Sequence, residues 1–538
     1  MKTKIILGII LIFAASLRLW GISTNPPSLS WDEVSIGYNA YTILNYGMDE
    51  HGVRMPIGAF AAFGDYKPAL PIYVTVPFVA VFGLSELAVR LPSALFGIAT
   101  VFLLYFFVKE LFGNQTKAVE VVALLSSLLL AFSPWHIMLS RAGFEANIAT
   151  FFILLGVYLI VAARRNARLW MYAFLPFAAG MYTFNSARFA GPLIGLGALV
   201  FSWGSLQNAK TVAVRGVVIA AIVLVPLLPH LVSRQAKLRF EEVSIFTDLR
   251  VVLISNARRV IDGNTWWSAI VHNRRIGFGR EYLVHFFDNL EPRFLFIRGD
   301  GNPKFSIQDS GQLLLVTAPF VFYGWLMLVA KMPAVGGLLL WWLIASIAPA
   351  AVARETPHAL RIENGLPVWI IVTAYGAIAA IMSISIRKLR LLLTIFSLLL
   401  LVANFGYFWH NYMNHYTLEY SGEWQYGYRE AIQFAESQKD SYDTIVLTES
   451  IGRPYMYALF YGKYDLPYFL NSKDASFDAA GFYNVTALGN YRFVREEIGD
   501  LLKNTLYILP PSQVPAGAHI VKTVNRLNGD PALVIFDI

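Results

Sequence analysis

The sequence predicts a mainly α, polytopic membrane protein that carries a small extracytoplasmic α/β domain after its last span. Three observations carry this prediction. Of 538 residues, 56% are hydrophobic and only 14% charged, whereas a soluble chain carries about a quarter charged residues. Several windows reach the roughly 20 apolar residues needed to cross a bilayer. Past about residue 410 the pattern changes to short apolar runs separated by polar turns.

The first element, MKTKIILGIILIFAASLRLWG, has the basic start and apolar centre of a signal peptide. Its apolar run continues into Arg18 and Trp20 without a small-x-small cleavage site, so it reads as a retained first span. The apolar segment 67–83 contains Pro68, Pro71 and Pro77, which break a helix, and it reads as interfacial or re-entrant. Loop charge supports that choice. If 67–83 does not cross, the basic loops MKTK, 109–117, 163–168, 210–215, Lys331 and 386–390 share one side, the cytoplasmic one. If it crosses, 163–168 and 386–390 turn outward while MKTK stays inside.

The expectation is about eleven transmembrane helices (11–13), near 5–21, 87–108, 118–134, 145–163, 169–182, 189–203, 211–232, 312–331, 334–352, 365–385 and 389–408. The N-terminus is then cytoplasmic. The loops 22–86, 133–145, 233–311 and 353–364 lie outside, with interfacial helices among them. A membrane domain is expected over 1–410 and a soluble extracytoplasmic domain over 415–538. In the latter, YREAIQFAESQ reads as an amphipathic helix, and YDTIVLT, LYILP, HIVKTV and ALVIFDI as strands.

The net charge of +8 is scattered through short loops, which fits topology determinants and gives no nucleic-acid surface. With no cysteine, the chain has no disulfide or thiolate metal site. HExxH, Walker-type and GxGxxG motifs are absent, which removes nucleotide hydrolysis and ATP-driven transport encoded in this chain.

On this topology, polar residues from distant segments share the outer side. The carboxylates are Asp32, Glu33, Asp65 and Glu145; the cations are Lys67, Arg141, Arg188 and Arg361, with His358 beside the last. Such a set suits transfer from a lipid phosphate, the cations holding phosphate while a carboxylate accepts the acceptor's proton. Each has a structural alternative. Asp32 is a good N-cap for an interfacial helix over Val34–Tyr46. Lys67 and Arg141 suit snorkelling anchors, Glu145 complements a helix dipole, Tyr182 fits an aromatic belt, and His136 fits an interfacial residue. Rival functions are a lipid-linked sugar flippase, which would place ionisable groups at mid-membrane, and a scaffold displaying the C-terminal domain.

The order Asp-Glu after the first span, then GDYKPALPIYVTVPFVAVFGLSELAVRLPSALFG, SPWHIMLSRAGFEANIATFFILLG and MYTFNSARFAGPL, resembles the GT-C membrane glycosyltransferases. The resemblance is to the superfamily of protein O-mannosyltransferases and lipid A aminoarabinose transferases, in a bacterial branch, and it covers most of 5–370. It implies a GT-C fold and an inverting transferase on the outer face of the bacterial cytoplasmic membrane. Its partners would be a polyprenyl-phosphate-linked sugar donor, a hydroxyl acceptor (glycan, lipid or protein) and membrane lipids. By motif, Asp32 matches the catalytic base, Glu33 its partner and Glu145 a second external acid. Lys67 matches the lipid-phosphate contact, and Tyr182 and Arg188 match a Tyr…Arg pair. The aminoarabinose branch holds a metal with a glutamate before the Lys-Pro lysine. Here that position is Tyr66, with Asp65 one earlier, so the resemblance implies no firm cofactor and leaves a divalent metal as an open alternative.

Overall fold

The computed structural model describes residues 2–63, 65–116, 118–477, 483–495 and 501–538. The side chain of Asp65 lies outside the described set. The chain divides into two compact units. One comprises residues 1–17, 96–139 and 145–408, the other 18–95, 140–144 and 409–538.

The helices that frame the N-terminal third are α1 (Lys2–Leu19), α2 (Trp31–Tyr46), α3 (Ala69–Phe82), α4 (Glu86–Phe112), α5 (Val119–Ala131), α6 (Pro134–Arg141) and α7 (Glu145–Ala162). Among the described residues, six helices are long and apolar enough to cross a membrane: α4, α7, Lys210–Leu231, Pro333–Val352, Glu363–Ser383 and Arg387–Asn414. The pair α5–α6, bent by 54°, makes a seventh if it is one span. The Pro-rich helix α3 has 14 residues, about 21 Å, which is short of the roughly 30 Å hydrocarbon core. The apolar run 169–182 is no continuous helix. It forms a 3₁₀ turn at Ala167–Met171 and a helix at Leu175–Met181, with Pro176 in the first turn, where its missing N–H costs nothing.

In the second unit the tail builds a seven-stranded mixed sheet. Its strands are β3 (Thr444–Thr448), β4 (Lys473–Phe477), β5 (Tyr483–Leu488), β6 (Tyr491–Val494), β7 (Thr505–Leu509), β8 (His519–Asn525) and β9 (Pro531–Asp537), in the order β4-β5-β6-β3-β7-β9-β8. A separate hairpin pairs β1 (Ala59–Ala62) with β2 (Asp65–Pro68). β3 runs parallel to β6 and β7; the other pairs are antiparallel. Strand side chains alternate faces, and here both faces are covered. Ile445, Leu447, Leu506, Ile508, Leu533 and Ile535 enter one core with Tyr428, Ile432 and Phe460 of the helices Tyr428–Ser437 and Pro454–Tyr461. Val446, Tyr507, Leu509, Val534 and Phe536 enter the other.

The first core continues into α2. A Cβ added at Gly37 would sit 2.7 Å from both Phe460 Cε2 and Val89 Cγ2, atoms of two buried side chains with nowhere to move. Nearby, the buried Glu50 carboxylate accepts from Asn39 Nδ2 at 3.1 Å and Tyr455 OH at 3.2 Å. His51 Nε2 lies 3.2 Å from the same carboxylate, and the Tyr483 ring meets the imidazole edge-on at 4.7 Å. Burial lowers the His51 pKa, but Glu50 and Asp49 outweigh burial and the opposing charge of Lys473, so the net shift is upward.

Two outcomes follow. Gly37→Ala gains up to about 1 kcal/mol of helix propensity but overpacks at about 1–3 kcal/mol, so thermal unfolding of the variant should show a lower midpoint. The raised His51 stabilises the fold fully below its ordinary value of 6.5, and that contribution is lost as pH rises through the folded value. Melting midpoints taken from about pH 6 to pH 8 should therefore fall more in the native chain than in His51→Gln.

Candidate active site

The residues around Asp32 are positioned by the start of α2. Ser30 is the N-cap, with φ −70° and ψ 161°. Its hydroxyl accepts from Glu33 N at 3.4 Å, while Glu33 Oε2 accepts from Ser30 N at 2.9 Å. This is a capping box, spelled Ser-x-x-Glu in the sequence. The cap therefore belongs to Ser30 rather than to Asp32, because only Ser30 has the extended backbone that turns a side-chain oxygen back onto the first turn.

Glu33 is enclosed. Its side chain has 0% exposure, and Oε1 accepts from Arg90 Nε at 2.8 Å and Gly143 N at 2.9 Å. The Arg90 guanidinium, equally buried, also donates to the carbonyls of Ile22 at 2.9 Å, Pro26 at 2.8 Å and Ser28. Both Glu33 oxygens are engaged by protein donors, and four donors converge on them once the Ser30 hydroxyl at 3.2 Å is included.

Asp32, one residue earlier, differs. Its side chain is 35% exposed, and Oδ1 accepts from Lys67 Nζ at 2.5 Å. Lys67 stands on β2 opposite Phe60. The hairpin and α3 pack on α2 through Ile36, Ala40, Ile43, Phe60, Ala69 and Ile72, so an apolar contact sets the reach of the lysine. The N-terminal turn of α2 also favours anions. Arg141, the last residue of α6, is buried. It donates to Asn25 O at 2.9 Å and lies over the rings of Tyr412 (5.5 Å) and Trp409 (5.9 Å). The structure thus brings Asp32, Glu33, Lys67 and Arg141 into one unit.

Glu145, Tyr182, Arg188, His358 and Arg361 belong to the other unit. Glu145 opens α7 and is buried. Tyr182 OH donates to Val223 O at 2.7 Å, and Arg188 donates to Met181 O at 3.2 Å and contacts His230 Nε2 at 3.3 Å. Ser186 Oγ donates to Arg361 O at 3.0 Å, which joins the segments bearing the two arginines. Arg361 itself reaches Glu355 through its carbonyl at 3.0 Å and its carboxylate at 3.4 Å.

His358 packs on Phe305 with ring centroids 5.1 Å apart, and its Nδ1 is 4.0 Å from Asp300 Oδ2. Burial and then the Arg361 charge lower the imidazole pKa to about 3, so this approach is no ion pair at neutral pH. Asp300 accepts from Asn302 N at 2.8 Å and Ala359 N at 2.6 Å. Burial nonetheless raises its pKa to about 6. Sequence reasoning left Asp300 and Arg90 unassigned. The available signals were the S-W-D-E box and an arginine set four residues into an apolar helix.

The buried pair sets an expected outcome. Arg90→Met leaves the Glu33 carboxylate buried without its cation, at a cost of about 3–5 kcal/mol, whereas replacing both partners costs much less. Chemical unfolding should therefore show Glu33→Gln/Arg90→Met to be more stable than Arg90→Met alone.

The profile of the family described as dolichyl-phosphate-mannose-protein mannosyltransferase matches residues 8–182. Two Bacillus subtilis (strain 168) proteins with mannosyltransferase names are similar over short stretches. YycA is 30% identical over 106 residues, 20% of this chain and 15% of its own; YkcB is 29% identical over 108 residues, 20% and 14%. The matched stretch spans about one-seventh of either relative. Among solved structures, ArnT from Cupriavidus metallidurans in the apo state aligns with a TM-score of 0.55 at 14% identity, over 98% of this chain and 97% of that one. The same protein bound to undecaprenyl phosphate aligns with a TM-score of 0.55 at 12% identity, over 99% and 97%. The chain is an integral membrane protein with the GT-C fold, and its first third matches the protein mannosyltransferase family.

Proposed function

We propose that this protein is a glycosyltransferase that moves a sugar from a polyprenyl-phosphate-linked donor to a hydroxyl acceptor on the outer face of the membrane. The observation that carries the proposal is the division between two adjacent carboxylates. Asp32 is accessible and 2.5 Å from an ammonium group, while Glu33 is sealed by the protein. A general base needs access to the acceptor, and Asp32 has it. The family match over 8–182 spans all of these residues, and ArnT, the fold relative, was solved with undecaprenyl phosphate.

In the proposed step the acceptor hydroxyl passes its proton to the Asp32 carboxylate as its oxygen bonds to the anomeric carbon. The bond from that carbon to the phosphate oxygen breaks, and its electron pair leaves with the lipid phosphate. Attack from the opposite face inverts the anomeric centre. Lys67 donates to the phosphate, where negative charge grows; one such preorganised donor is worth a few kcal/mol. Glu33, through Arg90 and the cap of Ser30, positions Asp32. The buried Arg141 adds positive potential while holding Asn25.

In the other unit, Arg188 and Arg361 are proposed as donor-binding cations, Tyr182 and the neutral His358 as further substrate-binding residues, and Glu145 as a second catalytic acid. Asp65, whose side chain lies outside the described residues, is proposed as a substrate-binding acid. The proposed membrane is the bacterial cytoplasmic membrane, with the N-terminus cytoplasmic and the C-terminal sheet extracytoplasmic.

Purified protein incubated with a panel of polyprenyl-phosphate sugars, with products and retained lipid read by mass spectrometry, tests the assignment. Asp32→Asn should lower transfer by at least about 100-fold with donor affinity nearly unchanged; retained transfer would move the base to another carboxylate. Lys67→Met should weaken donor binding about tenfold or more, and unchanged affinity would remove its phosphate role.

A further inference from the structure

The loop expected over 233–311 is largely helical, and its outer part forms a built hairpin with its apolar side chains outward. Helices Leu249–Ile261 and Arg274–Asp288 lie antiparallel around a short helix, Trp266–Val271. The two long helices meet closely: a Cβ at Gly277 would lie 2.8 Å from Val251 Cγ1. The turn between them is ordered by its own polar groups. Gly263 and Asn264 take positive φ, Thr265 caps the short helix and Asn273 caps the long one. Asp262 Oδ2 and His272 Nε2 close the base of the tip at 2.8 Å.

Within this ordered tip, Ile261 is 81% exposed and Trp266 79%, and Val260, Trp267, Ile270 and Val271 are exposed beside them. Monomeric proteins do not leave such a patch in water without a use. Arginine pairs flank it on both sides: Arg258 and Arg259 before, Arg274 and Arg275 after, all exposed. The nearby carboxylates are taken, Asp262 by His272, and Asp248 and Glu281 by Arg250. Tryptophan with aliphatic residues at a tip, ringed by arginine, is the composition of a segment that lies in the boundary between headgroups and acyl chains.

The depth fits. Helix Arg274–Asp288 is pinned to the end of the span Pro333–Val352. Tyr282 OH donates to Ala348 O at 3.2 Å, and the His285 ring meets Ala353 O at 2.8 Å. From His285 to Arg274 the helix runs about 16 Å, so the tip starts within that distance of the end of a span.

We propose that residues 258–275 form a membrane-surface anchor. Its apolar tip enters the interfacial layer, and its four arginines take the anionic headgroups of phospholipids. The anchor is independent of the transferase assignment, because none of these residues belongs to the proposed chemistry.

The native chain has no cysteine, so one introduced thiol reports one site. Full-length Ile261→Cys and, as a control in the β8–β9 turn, Asn528→Cys are labelled with an environment-sensitive fluorophore. The proteins are placed in nanodiscs of phosphatidylcholine, alone or mixed with phosphatidylglycerol, using lipids brominated on the acyl chain. The label at 261 should be blue-shifted and quenched at least about threefold more than the label at 528. Equal quenching at both sites, with 261 open to aqueous iodide, would place the tip in water and overturn the anchor. Blue emission at 261 protected from both quenchers would mean a protein partner or a second copy covers it, and would overturn it equally. Replacing Arg258, Arg259, Arg274 and Arg275 with Gln should reduce the excess quenching by brominated phosphatidylglycerol over brominated phosphatidylcholine at least about fivefold. An undiminished excess would remove the headgroup assignment.

Discussion

The buried ion pair between Glu33 and Arg90 is the constraint on which the arrangement around Asp32 depends. Two charges taken fully out of water are tolerated only when every remaining donor and acceptor finds a partner. Here they do. Arg90 satisfies the carbonyls of Ile22, Pro26 and Ser28, which belong to a loop with no backbone ladder of its own, and Glu33 answers with the amides of Ser30 and Gly143. One guanidinium thus fixes the chain between the first helix and α2, and one carboxylate fixes both the first turn of α2 and the approach of the segment after α6.

That constraint explains how two identical charges in sequence become unlike groups in space. Successive residues on a helix point about 100° apart. Once Glu33 is turned inward to Arg90, Asp32 must face sideways, toward whatever the β1–β2 hairpin presents. The hairpin presents Lys67, at a distance set by apolar packing of Phe60 and Ala69 on α2. The aim of Asp32 is therefore fixed by contacts in which Asp32 takes no part.

Legibility in the sequence followed the same physics. The strands at 444–448, 505–509, 519–525 and 531–537 lie where alternating apolar runs between turn residues put them. Strands β4 to β6 were missed: they are short, and β4 and β5 carry exposed polar positions. The helical hairpin at 249–288 was missed because hydropathy detects long apolar windows, and arginines interrupt every window there. The resemblance placed Asp32, Glu33 and Lys67 in one group, but it gave Glu33 a share in the chemistry. The Ser30 box, which shows where the Glu33 carboxylate is spent, stood in the same four letters. No local pattern could reveal the partner of Arg90, since the carbonyls it satisfies lie 62 to 68 residues away.

The Lys67–Asp32 pair also constrains what a bound donor would do. An ammonium group has three donors, and only one is needed for the contact with Oδ1. In the proposed mechanism a phosphate arriving beside Lys67 would share that ammonium group with Asp32 rather than replace it. The lysine would then hold donor phosphate and base at a fixed separation, with the Asp32 side chain 35% exposed. Arginine at this position would not serve as well. Its planar fork favours a bidentate grip on one anion, and it would either bind Asp32 with both arms or release it to bind phosphate. A point charge shared between two anions fits a site that needs both held at once.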